Sequence, residues 1–255
     1  MVRGNEWPGG VCSWSMHNNT TELAALMAEV GISHTHLAIG PAFAPDGKAY
    51  LDAIEKQGWQ LTATMIGFAQ EDYSTLETIR HTGGIVPDNC WQQNKKLVLD
   101  AIKLTASLGA QYLEFHFGFI DTVNTALADR VKYLADAAAK AGVVLLMETG
   151  QETAQTLAEF LEKLAHPALA VNFDPANMIL YGKGEPAAAL EILRRWIKHV
   201  HVKDALRSSA AGQWGEEVAW GSGHVGGETF LGALKQTGFD GALSIEREAG
   251  SSRFV

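Results

Sequence analysis

Cysteine is nearly missing from this chain of 255 residues: Cys12 and Cys90 are the only two. That excludes a disulfide scaffold, and nothing calls for an oxidising compartment. No run of about eighteen apolar residues occurs, which argues against a membrane span. The opening MVRGNEWPGG has neither the apolar stretch nor the cleavage site of a secretory signal. These absences point to a soluble, cytoplasmic protein. Positive charge is scarce too. Twenty Lys+Arg against 29 Asp+Glu leave a formal net charge of −9, a surface that does not favour a nucleic-acid backbone. No linker rich in Pro, Ser or charge divides the chain, so residues 1–255 read as one domain.

What is present is enough to bury a core. Hydrophobic residues make up 47% and charged residues 19%, which excludes a mostly disordered chain. The 26 glycines suit many short turns. Periodicity and turn residues predict strand then helix, repeatedly: strands near 10–14, 32–39, 59–66, 110–115, 143–147, 168–173, 196–202 and 242–245. Helices are predicted over 20–30 (capped by Asn19 or Thr20), 46–57, 91–108, 122–141, 150–164, 184–194 and 227–237. Residues 67–90 and 204–225 read as irregular. Eight strand candidates with short connections predict an α/β chain closed as a (β/α)8 TIM barrel, its last helix short or absent. The rival, an open doubly wound sheet, usually carries a glycine-rich dinucleotide turn after the first strand. Here that place holds SMHNNT, with no GxGxxG.

Four predicted strands end in a metal-ligand type: Glu148, Asp174, His201 and Glu246, at spacings of 26, 27 and 45 residues. In a barrel, the C-terminal strand ends share one rim. Three carboxylates converging there repel each other and resist desolvation, and one divalent cation removes the conflict. The oxygen-rich set suits Mn²⁺ or Mg²⁺, and the imidazole also admits Co²⁺, Fe²⁺ or Zn²⁺. His116 closes another strand on the same rim. His34 and His36 share a strand face, with His36 nearer the rim. His199 lies a layer deeper than His201 and reads as a structural, hydrogen-bonded group. Trp14 and Phe68 are expected as an apolar wall or as core. Lys203 shares the inward parity of His201, and Arg207 follows within reach of a polyhydroxylated or anionic ligand. Thr149-x-x-Glu152 has capping-box spacing, which favours a structural role for Glu152 over a substrate contact. Exposed Trp91, Trp214 or Trp220 would suit a dimer face or a lid, so a homo-oligomer stays open.

Several motifs resemble the xylose-isomerase-like TIM barrels: METGQET at 147–153, NFDPANMILYG at 172–182, HVHVKDA at 199–205, AWGSGHV at 219–225 and LSIERE at 243–248. That superfamily includes sugar phosphate isomerase/epimerases, ketose 3-epimerases, inosose dehydratase, hydroxypyruvate isomerase and endonuclease IV. The resemblance spans nearly the whole chain. It implies one divalent metal on Glu148, Asp174, His201 and Glu246, with Glu148 and Glu246 as the acid–base pair. It implies that Arg207, six residues past His201, binds substrate. Asn177 stands where the ketose 3-epimerases carry a substrate-binding His and where endonuclease IV has a metal ligand. His116, Lys203, Trp14 and His36 are further expected substrate contacts. The expected activity is isomerisation or epimerisation of a sugar, sugar phosphate or related α-hydroxy ketone through an enediolate. The alternatives are a keto-polyol dehydratase, a hydroxypyruvate-type isomerase and a non-catalytic sugar-binding barrel. The expected partner is a small polyhydroxylated carbonyl compound, not nucleic acid or membrane.

Overall fold

The computed structural model describes residues 7–210 and 212–250. In chain order the elements are β1 (Gly9–Cys12), α1 (Thr20–Val30), β2 (His34–Ala38), α2 (Gly47–Gln57), β3 (Gln60–Met65), α3 (Leu76–Thr82) and α4 (Trp91–Ser107). Then come β4 (Tyr112–Phe115), α5 (Thr125–Lys140), β5 (Val144–Glu148), α6 (Ala154–Leu164), β6 (Leu169–Phe173), α7 (Pro175–Leu180) and α8 (Pro186–Leu193). The chain closes with β7 (Ile197–Val202), β8 (Asp204–Leu206), β9 (Glu216–Val218), α9 (Gly227–Gln236) and β10 (Ala242–Ile245). Strands β1 to β7 and β10 form a closed barrel in which all neighbours run parallel. The (β/α)8 expectation holds, because the seven barrel strands before β10 bury an apolar outer face that a returning helix covers.

The sequence pattern missed the short elements. The stretch 67–90 contains α3, capped by Thr75. The stretch 204–225 contains β8 and β9, a small antiparallel pair outside the barrel. Helix α7 follows Asp174 directly. The first strand stops at Cys12, and residues 13–16 form a 3₁₀ turn that carries Trp14. Asn19 caps α1 as expected, its side chain accepting from the N–H of Thr21 and Glu22. No helix follows β10 as far as Gly250, and residues 251–255 lie outside the described residues. The outer face of β10 is accordingly bare, with Ile245 53% exposed.

The main apolar core lies between barrel and helices, where Phe115, Phe160, Phe173 and Phe230 are fully buried. Each such side chain contributes about 1.5–3 kcal/mol by leaving water. Inside the barrel, a small apolar cluster of Ala63, Leu146 and Ala170 gives way toward the rim to buried polar groups, among them His36, Glu114, Asn172, His199 and His201. Two register shifts, between Thr35 and His36 and between Val171 and Asn172, interrupt otherwise regular pairing. Bulges re-aim side chains, and His36 and Asn172 are the two that flank His201. Among the described residues, no helix is long and apolar enough to cross a membrane.

Candidate metal centre

Strands β5 and β7, with the residues that follow β6 and β10, bring Glu148, Asp174, His201 and Glu246 together. One ligand atom from each lies within 4.8 Å of the others. His201 Nδ1 faces all three carboxylates, at 2.9 Å from Glu148 Oε1, 3.3 Å from Glu246 Oε2 and 3.7 Å from Asp174 Oδ2. Thr149 fixes the β5 and β6 ends against each other. Its Oγ1 accepts from Asp174 N and donates to Asp174 O, both at 2.8 Å. This corrects the capping-box reading: α6 is capped by Thr153, whose Oγ1 accepts from Thr156 N. Gly150 admits the close approach of α7, since a Cβ there would stand 2.6 Å from the Asn177 Cβ.

The donor set fits a divalent cation. Asp174 is fully buried; its Oδ1 caps α7 by accepting from Asn177 N, while Oδ2 has no hydrogen-bond partner and points at the other ligands. Lys203 Nζ at 3.8 Å and His201 Nδ1 at 3.7 Å offset its charge in part, but a buried carboxylate oxygen without a hydrogen bond remains costly. Burial pushes the Asp174 carboxyl up to about 7 against the pull of Lys203 and His201. Burial also acts on Glu148, but hydrogen bonds from His116 and His201 outweigh it and hold that group at about 2.

Each ligand has its own support. Glu246 Oε1 accepts from Trp14 Nε1 at 2.6 Å, and Oε2 from Lys203 Nζ at 2.9 Å. Glu148 Oε2 lies 3.2 Å from His116 Nε2, and Glu71 Oε1 lies 3.3 Å from the opposite His116 nitrogen. Tyr73 hydrogen-bonds that same Nδ1. His201 Nε2 lies 3.1 Å from His36 Nδ1, and His36 Nε2 faces Glu114 Oε2 at 3.5 Å. Burial pulls the His36 pKa down to about 3, so the ring is neutral. Deeper still, His199 bonds Asn172 Oδ1 at 2.8 Å and Thr62 Oγ1 at 3.1 Å.

A cavity of about 440 Å³ opens above the ligands, lined by Trp14, His116, Asn177 and Lys203 among others. Phe68 lies in the outer core, edge-on to Phe115. His36 is fully enclosed beneath the ligands, a place for bracing His201 rather than touching a substrate. Arg207 is not brought to this cavity. It pairs with Glu185 at 2.7 Å and lines a neighbouring cavity with Lys183. Sequence reasoning missed Glu71, Tyr73, Glu114, Tyr181 and Glu248. Glu114, a carboxylate inside the apolar strand QYLEFH, and Glu248, in phase with Glu246, left a signal. Glu71 and Tyr73 left none, since both come from the irregular stretch after β3. Trp214, expected on a dimer face or lid, is a wall of the cavity and packs on Tyr181.

A family model described as xylose isomerase-like TIM barrel matches residues 20–253. Among solved structures, a xylose isomerase domain protein from Planctomyces limnophilus is 30% identical with a TM-score of 0.85, covering 95% of this chain and 91% of that one. The probable 3-DHS dehydratase AsbF from Bacillus anthracis is 17% identical with a TM-score of 0.71, covering 96% and 94%. A D-psicose 3-epimerase from Clostridium cellulolyticum, solved with D-tagatose, is 16% identical with a TM-score of 0.70, covering 96% and 87%. At such identities the last two share the fold and no more. No curated protein matches the chain.

Proposed function

The chain belongs to the xylose-isomerase-like TIM barrel family, and from that premise we propose that it is a divalent-metal-dependent isomerase or epimerase of a small polyhydroxylated carbonyl compound, acting as one domain. The observation that carries this reading is the convergence of Glu148, Asp174, His201 and Glu246, with Asp174 Oδ2 lacking a hydrogen-bond partner. Three carboxylates and one imidazole favour Mn²⁺ or Mg²⁺. Unpaired thiols at Cys12 and Cys90 fit a cytoplasmic setting.

The cation, when bound, supplies Lewis acidity to a substrate carbonyl and so acidifies the neighbouring C–H. The rest falls to the chain. Glu148 or Glu246 takes the proton from that carbon, and the enediolate is reprotonated by one of the two. Return from the opposite face gives an epimer; delivery to the adjacent carbon gives aldose–ketose isomerisation. His116 fixes one oxygen of Glu148, while Trp14 and Lys203 fix both oxygens of Glu246, so each carboxylate keeps a defined direction. Asn177 reaches Lys203 at 3.4 Å and borders the same cavity. Incubating the Mn²⁺-loaded protein with ketoses in D₂O tests the reading. Deuterium on the carbon next to the carbonyl, with no loss of mass, is the expected result. Loss of water would establish the dehydratase reading, and no exchange in metal-loaded protein would end the proposal.

A further inference from the structure

The walls of the mouth cavity are one-sided in charge. Six carboxyl groups line it: Glu71, Glu114, Glu148, Glu217, Glu246 and Glu248. Among the described residues lining it, no arginine occurs, and the basic side chains are Lys203 and His116. Neither has a donor to spare. An ammonium carries three N–H groups, and Lys203 Nζ meets Glu246 Oε2 at 2.9 Å, Glu248 Oε2 at 2.6 Å and Asn177 Oδ1 at 3.4 Å. His116 faces Glu148 with one nitrogen and Glu71 and Tyr73 with the other. The cations that could greet an anion, Arg80, Lys183 and Arg207, line the adjoining cavity of about 510 Å³, where Arg207 is paired with Glu185.

We propose that this site takes an uncharged polyhydroxylated carbonyl compound and discriminates against its phosphate esters and 2-keto-acid analogues. The inference rests on the isomerase reading, since it concerns the same cavity. A phosphoryl group brings about −1.5 to −2 charge and acceptor oxygens only. Such groups are recognised by free, charge-assisted N–H donors, and here those donors are already engaged. A single divalent cation must first offset the carboxylates that hold it, which leaves little positive field for an anionic tail. Hydroxyl groups meet the opposite situation. Each donates one hydrogen bond, and a carboxylate oxygen that already accepts one, as those of Glu71, Glu217 and Glu246 do, keeps a second lone pair to receive it. Trp14, Tyr181 and Trp214 add flat apolar surface for C–H faces. The volume of about 440 Å³ falls within the range of roughly 300–1,000 Å³ typical of small-molecule sites.

Isothermal titration calorimetry of the Mn²⁺-loaded protein with the D-ketohexoses and their 6-phosphates tests the assignment. The best-bound free ketohexose is expected to bind at least about tenfold more tightly than its own phosphate. A phosphate bound as tightly as the free sugar, or more tightly, overturns the inference and leaves the isomerase reading standing. Absence of binding for both forms, in protein that retains Mn²⁺, brings down the isomerase reading itself. Glu248→Ala removes one carboxylate and, leaving no acceptor in its place, frees one Lys203 N–H. It is expected to narrow the discrimination about tenfold, and an unchanged ratio also counts against the inference.

Discussion

His36 Nδ1 lies 3.1 Å from Nε2 of His201, inside the barrel and out of contact with water. For His201 to bind a cation through Nδ1, which faces Glu148, Asp174 and Glu246, its proton must sit on Nε2, and a neutral His36 can accept it there. Partners of this kind set the tautomer and orientation of a metal-binding imidazole. His36→Asn places an amide oxygen close to where Nδ1 stands, and His36→Leu offers no acceptor. The leucine variant is expected to lose about 10–100-fold in Mn²⁺ affinity, and the asparagine variant to recover most of it. Titration calorimetry with Mn²⁺ checks this, and equal losses in both variants would refute a role in fixing the tautomer.

Asp174 is a ligand candidate whose Oδ2 accepts no hydrogen bond. Asp174→Asn keeps the helix-capping Oδ1 and removes the charge. With Mn²⁺ at 100 times its Kd, the wild-type protein gains about 2.7 kcal/mol by linkage. In a chain of this size that is about 5–10 °C in Tm. The variant is expected to show almost no metal-dependent rise in a calorimetric scan, while keeping its metal-free Tm. A full rise in the variant would exclude Asp174 from the centre.

Asp204 is buried, and its carboxylate accepts from the N–H groups of Ala205, Gly221, Gly223 and Val225. It thereby folds the 219–225 loop back onto β8. Each buried N–H deprived of its acceptor costs about 1–3 kcal/mol. Asp204→Ala is expected to destabilise the protein by at least about 3 kcal/mol in urea unfolding. Gly223→Ala is expected to act in the same direction, because a Cβ there would stand 2.2 Å from Asp204 Oδ1. A change below 1 kcal/mol in both would show that the loop is held elsewhere.

Burial pushes Glu152 up to about 8 from its ordinary 4.5, against the opposing pull of the Ile120 N–H and Lys183. The folded chain therefore holds this proton more tightly than the unfolded chain. The stability it contributes is complete below pH 4.5 and is lost as pH rises through about 8. Glu152→Gln removes that dependence. Relative to wild type, the variant is expected to gain more Tm at pH 8 than at pH 5, and an identical difference at both would exclude a raised Glu152.

The repeating fold was legible because its signals are local. Apolar runs such as VVLLM and LAVNF, ended by Glu148 and Asp174, announce buried parallel strands and mark a rim by their last residue. The same reasoning placed His201 and Glu246 without any knowledge of contacts. Short elements were not legible: α3, α7 and the β8–β9 pair are too brief for a period to show. Glu152 misled, since the spacing of a capping box was present while the helix began later, at Ala154.

By itself, then, the sequence determined the barrel, the strand ends and the four side chains that meet there, because period, turn chemistry and strand polarity all act over neighbouring residues. Tertiary structure alone decided which groups serve those four. Only closure of the barrel sets His36 behind His201, Lys203 between Glu246 and Glu248, and Glu71 against His116. It also carried Arg207 into the adjoining cavity, since the direction of a long side chain after a strand depends on the charge it meets, here Glu185. Contacts between residues far apart in the chain depend on register, bulges and loop paths, and these emerge only when all eight strands are paired.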